Sequence, residues 1–223
     1  MTKRELVATF QREITKWGEQ NLRVFSWRCT QDPYKILVAE VLLQHTTAGQ
    51  VATVFPIFIE AFPTVDDLSK ASLGRIQRII HPLGKLHRAG NLRSIAATIS
   101  RKHKGIVPDR MVDLLALPGI GRYSASVILD AAYGFNHPIV DSGINRVFSR
   151  FFKTEWSSEQ ARKAAGPWDF ARKVVPRKSV YWFSLHLLDF AAIVCIKRNP
   201  RCHRCPLSAS CPSTEYDERP PRS

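Results

Sequence analysis

The sequence predicts an all-α fold, and three observations carry that expectation. Apolar residues recur at helical spacing through most of the 223 residues. No segment alternates polar and apolar residues for long enough to make a convincing strand. Proline and glycine also stand where helices would begin and end, as at Pro33 and Gly105.

Leu6, Val7, Phe10, Ile14 and Trp17 mark one face of a first helix. A second runs near Pro33 to His45, with proline suited to its first turn and Ile36, Leu37, Val41 and Leu42 as its apolar face. Val51, Val54, Phe55, Phe58, Ile59 and Phe62 mark a third. Short helices near 65–71 and 73–80 follow, then a longer one near 86–103 ending at Gly105, and another near 109–116. Further on, a strand-like apolar run meets a helix start at Asp141. There is no internal repeat and no low-complexity linker; the tail after Cys211 is polar and proline-rich and is expected to fray.

A hydrophobic content of 44% supplies one sizeable core or two smaller ones. No apolar run approaches the roughly 20 residues of a membrane-spanning helix, and the N-terminus is a charged amphipathic helix without a signal-peptide core. A soluble intracellular protein associated with cytoplasm or nucleoid is the expectation. Lys and Arg number 33 against 19 Asp and Glu, a formal charge of +14. Such an excess points to a polyanion, and nucleic acid is the usual one because neutralised phosphates release counterions. An anionic membrane is the weaker rival, since the basic residues are spread along the chain and not gathered on one amphipathic helix. A solvated basic surface without a partner is the bland reading.

Four of the five cysteines, Cys195, Cys202, Cys205 and Cys211, fall within 17 residues in a C-x6-C-x2-C-x5-C array. Disulfides between such neighbours do not suit an intracellular chain with a real core. Four thiolates on one continuous loop suit a 4Fe-4S cluster; structural zinc stays open, although zinc sites usually show two short-spaced pairs and only Cys202 and Cys205 form one here. Cys29 stands apart and reads as a small buried residue.

The segment Leu117-Pro-Gly-Ile-Gly-Arg-Tyr123 lies between two helical patterns. Gly119 and Gly121 would give the freedom for a tight hairpin whose backbone N–H groups, at a helix start, hold a phosphate. The same tetrad also joins helices for purely structural reasons. Eighteen residues after Tyr123, Asp141 opens the next helix. Aspartate is a favoured N-cap, which explains it without chemistry. Capping donors would also keep the carboxylate ionised and fixed, fit to face a sugar cation.

Together these residues resemble the endonuclease III/MutY superfamily of helix-hairpin-helix DNA glycosylases. The likeness spans about residues 5–212 and includes Trp27-Arg28, Asp32-Pro33-Tyr34, Ala39-Glu40-Val41-Leu42-Leu43-Gln44, the Leu-Pro-Gly-Ile-Gly hairpin, Val140-Asp141, Leu188-Asp189-Phe190 and the cysteine array. It is similar to two branches, the Mig-type thymine-guanine mismatch glycosylases and the MutY catalytic domain. Phe62-Pro-Thr-Val-Asp-Asp-Leu68 and Pro82-Leu-Gly-Lys-Leu-His-Arg-Ala89 resemble MutY, whereas Thr46-Thr-Ala-Gly-Gln-Val51 and Gly121-Arg-Tyr123 resemble Mig. MutY enzymes generally carry a further C-terminal domain and this chain stops after the cysteines, so thymine or uracil opposite guanine is the expected target, with adenine opposite guanine or oxidised guanine as the alternative.

The resemblance implies a 4Fe-4S cluster on Cys195, Cys202, Cys205 and Cys211, with a structural role. It implies base flipping followed by hydrolysis of the N-glycosidic bond. Asp141 would stabilise or trap the sugar cation, and Glu40 would assist proton transfer or activate water. Tyr123 occupies the place of the lyase lysine, and a phenol forms no imine, so strand cleavage is not expected. Gln44, His45, Lys85 and Leu86 are the candidates to fill the flipped base's gap, with Leu86 an apolar wedge. Each has a plainer reading: Glu40 in a surface ion pair, Tyr123 as helix-start packing, Leu86 in the core, His45 as a satisfied polar residue. His203, Arg204, Lys197, Arg198 and Arg201 would either approach a DNA backbone or offset the cluster's charge.

The implied architecture is two helical lobes, a six-helix barrel with the hairpin at 26–135 and a cluster lobe from 1–25 plus 136–223. Mismatched or damaged duplex DNA is the implied partner, met by a monomer in the cleft between the lobes, where Glu40, Tyr123 and Asp141 would share one pocket. A catalytically silent DNA-damage binder on the same scaffold is the other class.

Overall fold

The computed structural model describes residues 2–157, 159–160 and 164–214. Most of the tail expected to fray lies outside them. No strand occurs among the described residues, as the periodicity predicts; the run before Asp141 has no regular secondary structure. No helix among them is long and apolar enough to cross a membrane.

The chain divides into two compact units, Val24–Phe135 and Met1–Arg23 with Asn136–Ser223. In the first, α2 (Pro33–Leu43) is the central element, with every residue from Ile36 to Leu42 buried. It begins because Asp32 accepts the Tyr34 N–H at 2.9 Å and Pro33 fills the first helical position, where no N–H is needed. Its end comes at Leu43, two residues before the pattern suggested, and His45 takes a left-handed φ of 55°. Around it stand α3 (Ala48–Ala61), α4 (Val65–Lys70), α5 (Leu73–Ile80), α6 (Arg88–His103), α7 (Met111–Leu115) and α8 (Arg122–Tyr133). The sharp starts of α3 and α4 follow from reciprocal capping boxes, Thr47 with Gln50 and Thr64 with Asp67. α2 packs on α8 and α3, while α4 packs on α6. Cys29 is exposed, not buried as the sequence suggested; it follows the short turn Ser26–Arg28, in which Trp27 takes the inward position.

In the second unit, α1 (Lys3–Asn21) packs along the last long helix. That unit also contains α9 (Ser142–Phe152), α10 (Ala165–Val174) and α11 (Val180–Ile193). Gly18 permits the close approach, because a Cβ there would stand 2.0 Å from the His186 ring. Phe10 is fully buried among Phe148, Phe151, Phe152 and Phe183, and truncating such a side chain to Ala costs about 3–5 kcal/mol. Asp189 is fully buried yet matched: the Arg23 guanidinium donates twice to one carboxylate oxygen, at 2.6 and 2.9 Å, and the Arg23 backbone N–H donates to the other at 2.8 Å.

Candidate active site and cysteine cavity

Glu40 sits on α2 with apolar neighbours on both sides and is only 6% exposed. The surface ion-pair reading is therefore wrong. Burial is the main cause that pushes its pKa from the ordinary 4.5 up to about 7; a hydrogen bond from the Ser124 hydroxyl and the charge of Arg28 oppose that rise. A carboxyl poised near neutrality can give and take a proton at physiological pH. Ser124 lies in the first turn of α8, one residue beyond the half-buried Tyr123, so the hairpin's helix supplies the hydroxyl. Sequence reading missed Ser124, although a hydroxyl beside the hairpin tyrosine is visible there.

In the hairpin before α8, Gly119 has φ of 75°, a conformation that favours glycine, and an added Cβ would press on Asn91 Nδ2 at 3.1 Å. Gly121 differs from expectation. Its backbone is extended, with φ of −96° and open space where a Cβ would stand, so its value is not left-handed freedom. It is the N-cap of α8, and no side-chain hydrogen bond caps that helix start.

The candidate probing residues fall in two loops of the same unit. Gln44 is half-buried and its Nε2 donates to the Gly119 carbonyl at 2.9 Å, tying the end of α2 to the hairpin. His45 and Lys85 are exposed; Leu86 is half-buried and not a core residue. Gly84, in the left-handed region at φ 75°, turns the chain just before Lys85.

Asp141 belongs to the other unit. It caps α9, accepting the Ile144 N–H at 2.6 Å, which fixes the carboxylate as expected. Its ionisation is another matter. Burial raises its pKa above the ordinary 3.8, outweighing the backbone donors and the charge of Arg146, so capping alone does not hold it at a low value. Arg146 in turn donates to the Cys195 and Ala191 carbonyls, both at 2.9 Å.

Cys195, Cys202, Cys205 and Cys211 line one cavity of about 450 Å³ together with Arg150 and Arg201. Burial pushes the Cys205 thiol up to about 12, and each of the other three cysteines adds repulsion against its ionisation. Four such thiolates need positive charge at the cavity's centre, which a metal centre provides and the Arg150 guanidinium, 3.4 Å from Cys195 Sγ, begins to provide. Among the described residues no three His, Cys, Asp or Glu side chains gather tightly enough to hold a single metal ion. Lys197, Arg198, Arg201, His203 and Arg204 are all exposed around this loop.

These features define a class. Residues 38–169 match the family model of the HhH-GPD superfamily base excision DNA repair protein, and the chain belongs to that superfamily. A thymine/uracil-DNA glycosylase of Pyrobaculum aerophilum is 36% identical over 206 residues, covering 89% of this chain and 88% of the relative. An adenine DNA glycosylase of Buchnera aphidicola subsp. Baizongia pistaciae is 32% identical over 208 residues, covering 92% of this chain but 58% of the relative. The solved structure of a thermostable thymine-DNA glycosylase superposes with a TM-score of 0.89 at 32% identity, covering 96% of this chain and 98% of that one.

Proposed function

We propose that this protein is a monofunctional DNA glycosylase that releases thymine or uracil mispaired with guanine from duplex DNA. The observation that carries the chemistry is the buried Glu40 with its pKa near 7, hydrogen-bonded to the first turn of the hairpin's helix. The match to thymine/uracil-DNA glycosylases over nearly the full length of both chains supports the choice of base.

The bond between C1′ and the base nitrogen breaks with its electron pair going to the base. The proton on Glu40 passes to the departing base, so a neutral base leaves. Asp141, as its carboxylate, stabilises the cationic sugar carbon. Water then adds to C1′ and its proton returns to Glu40. Tyr123 provides no amine, so no imine forms and the strand stays intact at the abasic site. Gly119 and Gly121 would seat a DNA phosphate at the start of α8, while Gln44, His45, Lys85 and Leu86 probe the stack, Leu86 as the apolar wedge.

The four cysteines would hold a 4Fe-4S cluster. Sulfurs distributed around a cavity of about 450 Å³ suit a four-iron cube better than one zinc ion at 2.3 Å from each sulfur. Base hydrolysis transfers no electrons, and the cluster's contribution is to hold the loop from Cys195 to Cys211.

A labelled duplex with one T·G, U·G, A·G or A·oxidised-guanine pair, developed with and without alkali, tests the reading. Breakage only after alkali at T·G or U·G is the expected result. Release confined to the adenine pairs would favour the second reading, adenine excision, to which the Buchnera relative points. Breakage without alkali would overturn the role given to Tyr123.

A further inference from the structure

Arg88 is the first residue of α6 and only 1% exposed, and all its hydrogen-bond partners are carbonyls and a hydroxyl. Its Nη1 donates to the carbonyls of Leu42 and Gln44 and, at 2.8 Å, to Thr46 Oγ1. Nη2 donates to the Leu83 carbonyl at 3.1 Å and Nε to the Lys85 carbonyl at 3.2 Å. One side chain therefore satisfies acceptors on two loops separated by some forty residues of sequence, at 42–46 and 83–85. A buried cation without a carboxylate is costly, and the N-terminal end of a helix is the wrong end of the dipole for it. Simple stability does not account for such a choice: the carbonyls after α2 could have met water or a glycine-capped turn.

What the two loops carry explains it. The first holds Gln44 and His45, the second Lys85 and Leu86, and the left-handed turns at His45 and Gly84 shape them. The first loop is in turn fastened to the hairpin through Gln44 Nε2 and the Gly119 carbonyl. One turn beyond Arg88 on α6, Asn91 also lies close to Gly119, its Nδ2 3.1 Å from where a Cβ there would stand.

We propose that Arg88 is a positioning residue that locks the 43–47 and 83–87 loops into one rigid unit, so that Gln44 and Leu86 enter a duplex together at a mispair. The proposal rests on the glycosylase reading for its consequence, but not for its geometry. A guanidinium suits the task because its three nitrogens, fixed in one plane, face both loops at once: Nη1, with two hydrogens shared among three acceptors, faces the first loop, and Nη2 and Nε face the second, a spread that an ammonium cannot match.

The test is Arg88→Lys in the full-length protein, read in two ways. Amide hydrogen exchange should quicken in both loops together while α3 and α11 keep their protection. Single-turnover release from a T·G duplex should fall about 100-fold, as expected when reacting groups are misplaced by about 1 Å, with affinity for a fully paired duplex within about threefold. Loosening of only one loop, or of both with release and mispair preference intact, would overturn the proposal. If Arg88→Lys does not fold, Thr46→Val decides: loosening that spreads from 43–47 to 83–87 supports the coupling, and loosening confined to 43–47 refutes it. Absence of release from any mispair by the unaltered protein would sink the glycosylase reading instead, and the exchange measurement would still judge Arg88.

Discussion

The starts of α8 and α9 are two helix N-termini of nearly equal length, built in opposite ways. α8 opens on Gly121, with no side-chain cap, after a left-handed Gly119. α9 opens on Asp141, whose own carboxylate takes the Ile144 N–H. One helix start has no side-chain cap and is the proposed seat of a DNA phosphate, while the other fills its positive end with a carboxylate of its own. Each start also has a buried carboxyl to manage. At α8 the Ser124 hydroxyl serves Glu40, and burial wins by enough to hold the pKa at about 7. At α9 several backbone N–H groups and Arg146 serve Asp141, and burial still raises it. The difference fits the roles proposed above: the carboxyl near neutrality would move protons, and the one among fixed donors and a cation would face the sugar.

Asp141→Asn breaks the α9 side most severely. Asparagine is an equally good N-cap, so the helix start survives while the charge is lost. Base release should fall by on the order of 1000-fold with duplex affinity nearly unchanged. Retention of activity would remove the sugar-cation role and leave Asp141 as a cap; a protein that never released base would behave as the silent binder.

Glu40→Gln is the next largest effect, a loss of about 100-fold in release, typical of one general acid–base group. The pH profile sharpens it. Because the protonated carboxyl gives the proton, release by the unaltered protein should decline as pH rises through about 7, and the glutamine variant should lack that inflection. Stability falls with rising pH as release does, but the substitution acts on it with the opposite sign. Glu40's folded pKa lies above its ordinary 4.5, so burial of the neutral acid favours folding at low pH, and that contribution is lost between about pH 4.5 and 7. Above pH 7 the ionised group opposes folding, by up to about 3 kcal/mol for such a shift. Thermal denaturation should therefore show Glu40→Gln stabilising the fold at pH 8 and much less at pH 5. Equal effects at both would place Glu40 in a wetter site than the structure gives it.

Much of this contrast is legible in the sequence, because helix starts carry local chemistry. Asp141 before a helical pattern, Pro33 after Asp32, and glycines at 119 and 121 each announce themselves within a few residues. What is not legible depends on partners far along the chain. α2 stops at Leu43 with no glycine or proline to stop it; Arg88, 45 residues away, accepts the task of satisfying its last carbonyls. Cys29 gave no local sign of its exposure, since Trp27 decides which side of that turn faces inward. Glu40 is an intermediate case: one carboxylate among seven successive buried residues is a signal, but the depth of burial that raises its pKa, and the Ser124 hydroxyl that tempers the rise, come from the packing of α2 on α8.

The hairpin glycines give the smallest effects and isolate the α8 side. Gly119→Ala forces a side chain into a left-handed backbone and against Asn91 Nδ2, a strain of about 1–2 kcal/mol. Its cost should appear in duplex affinity as well as in stability, because the Gly119 carbonyl also holds Gln44. Gly121→Ala meets no atom within 4 Å and needs no unusual φ, so the fold should tolerate it within about 0.5 kcal/mol. Any loss there should be one of DNA affinity alone, caused by a methyl group standing where a phosphate would approach the helix start. Measuring both variants by thermal denaturation and by binding to a fully paired duplex separates the two glycines. If Gly121→Ala binds duplex as well as the unaltered protein, the open start of α8 is not where the phosphate sits, and the contrast with the filled start of α9 loses its functional meaning.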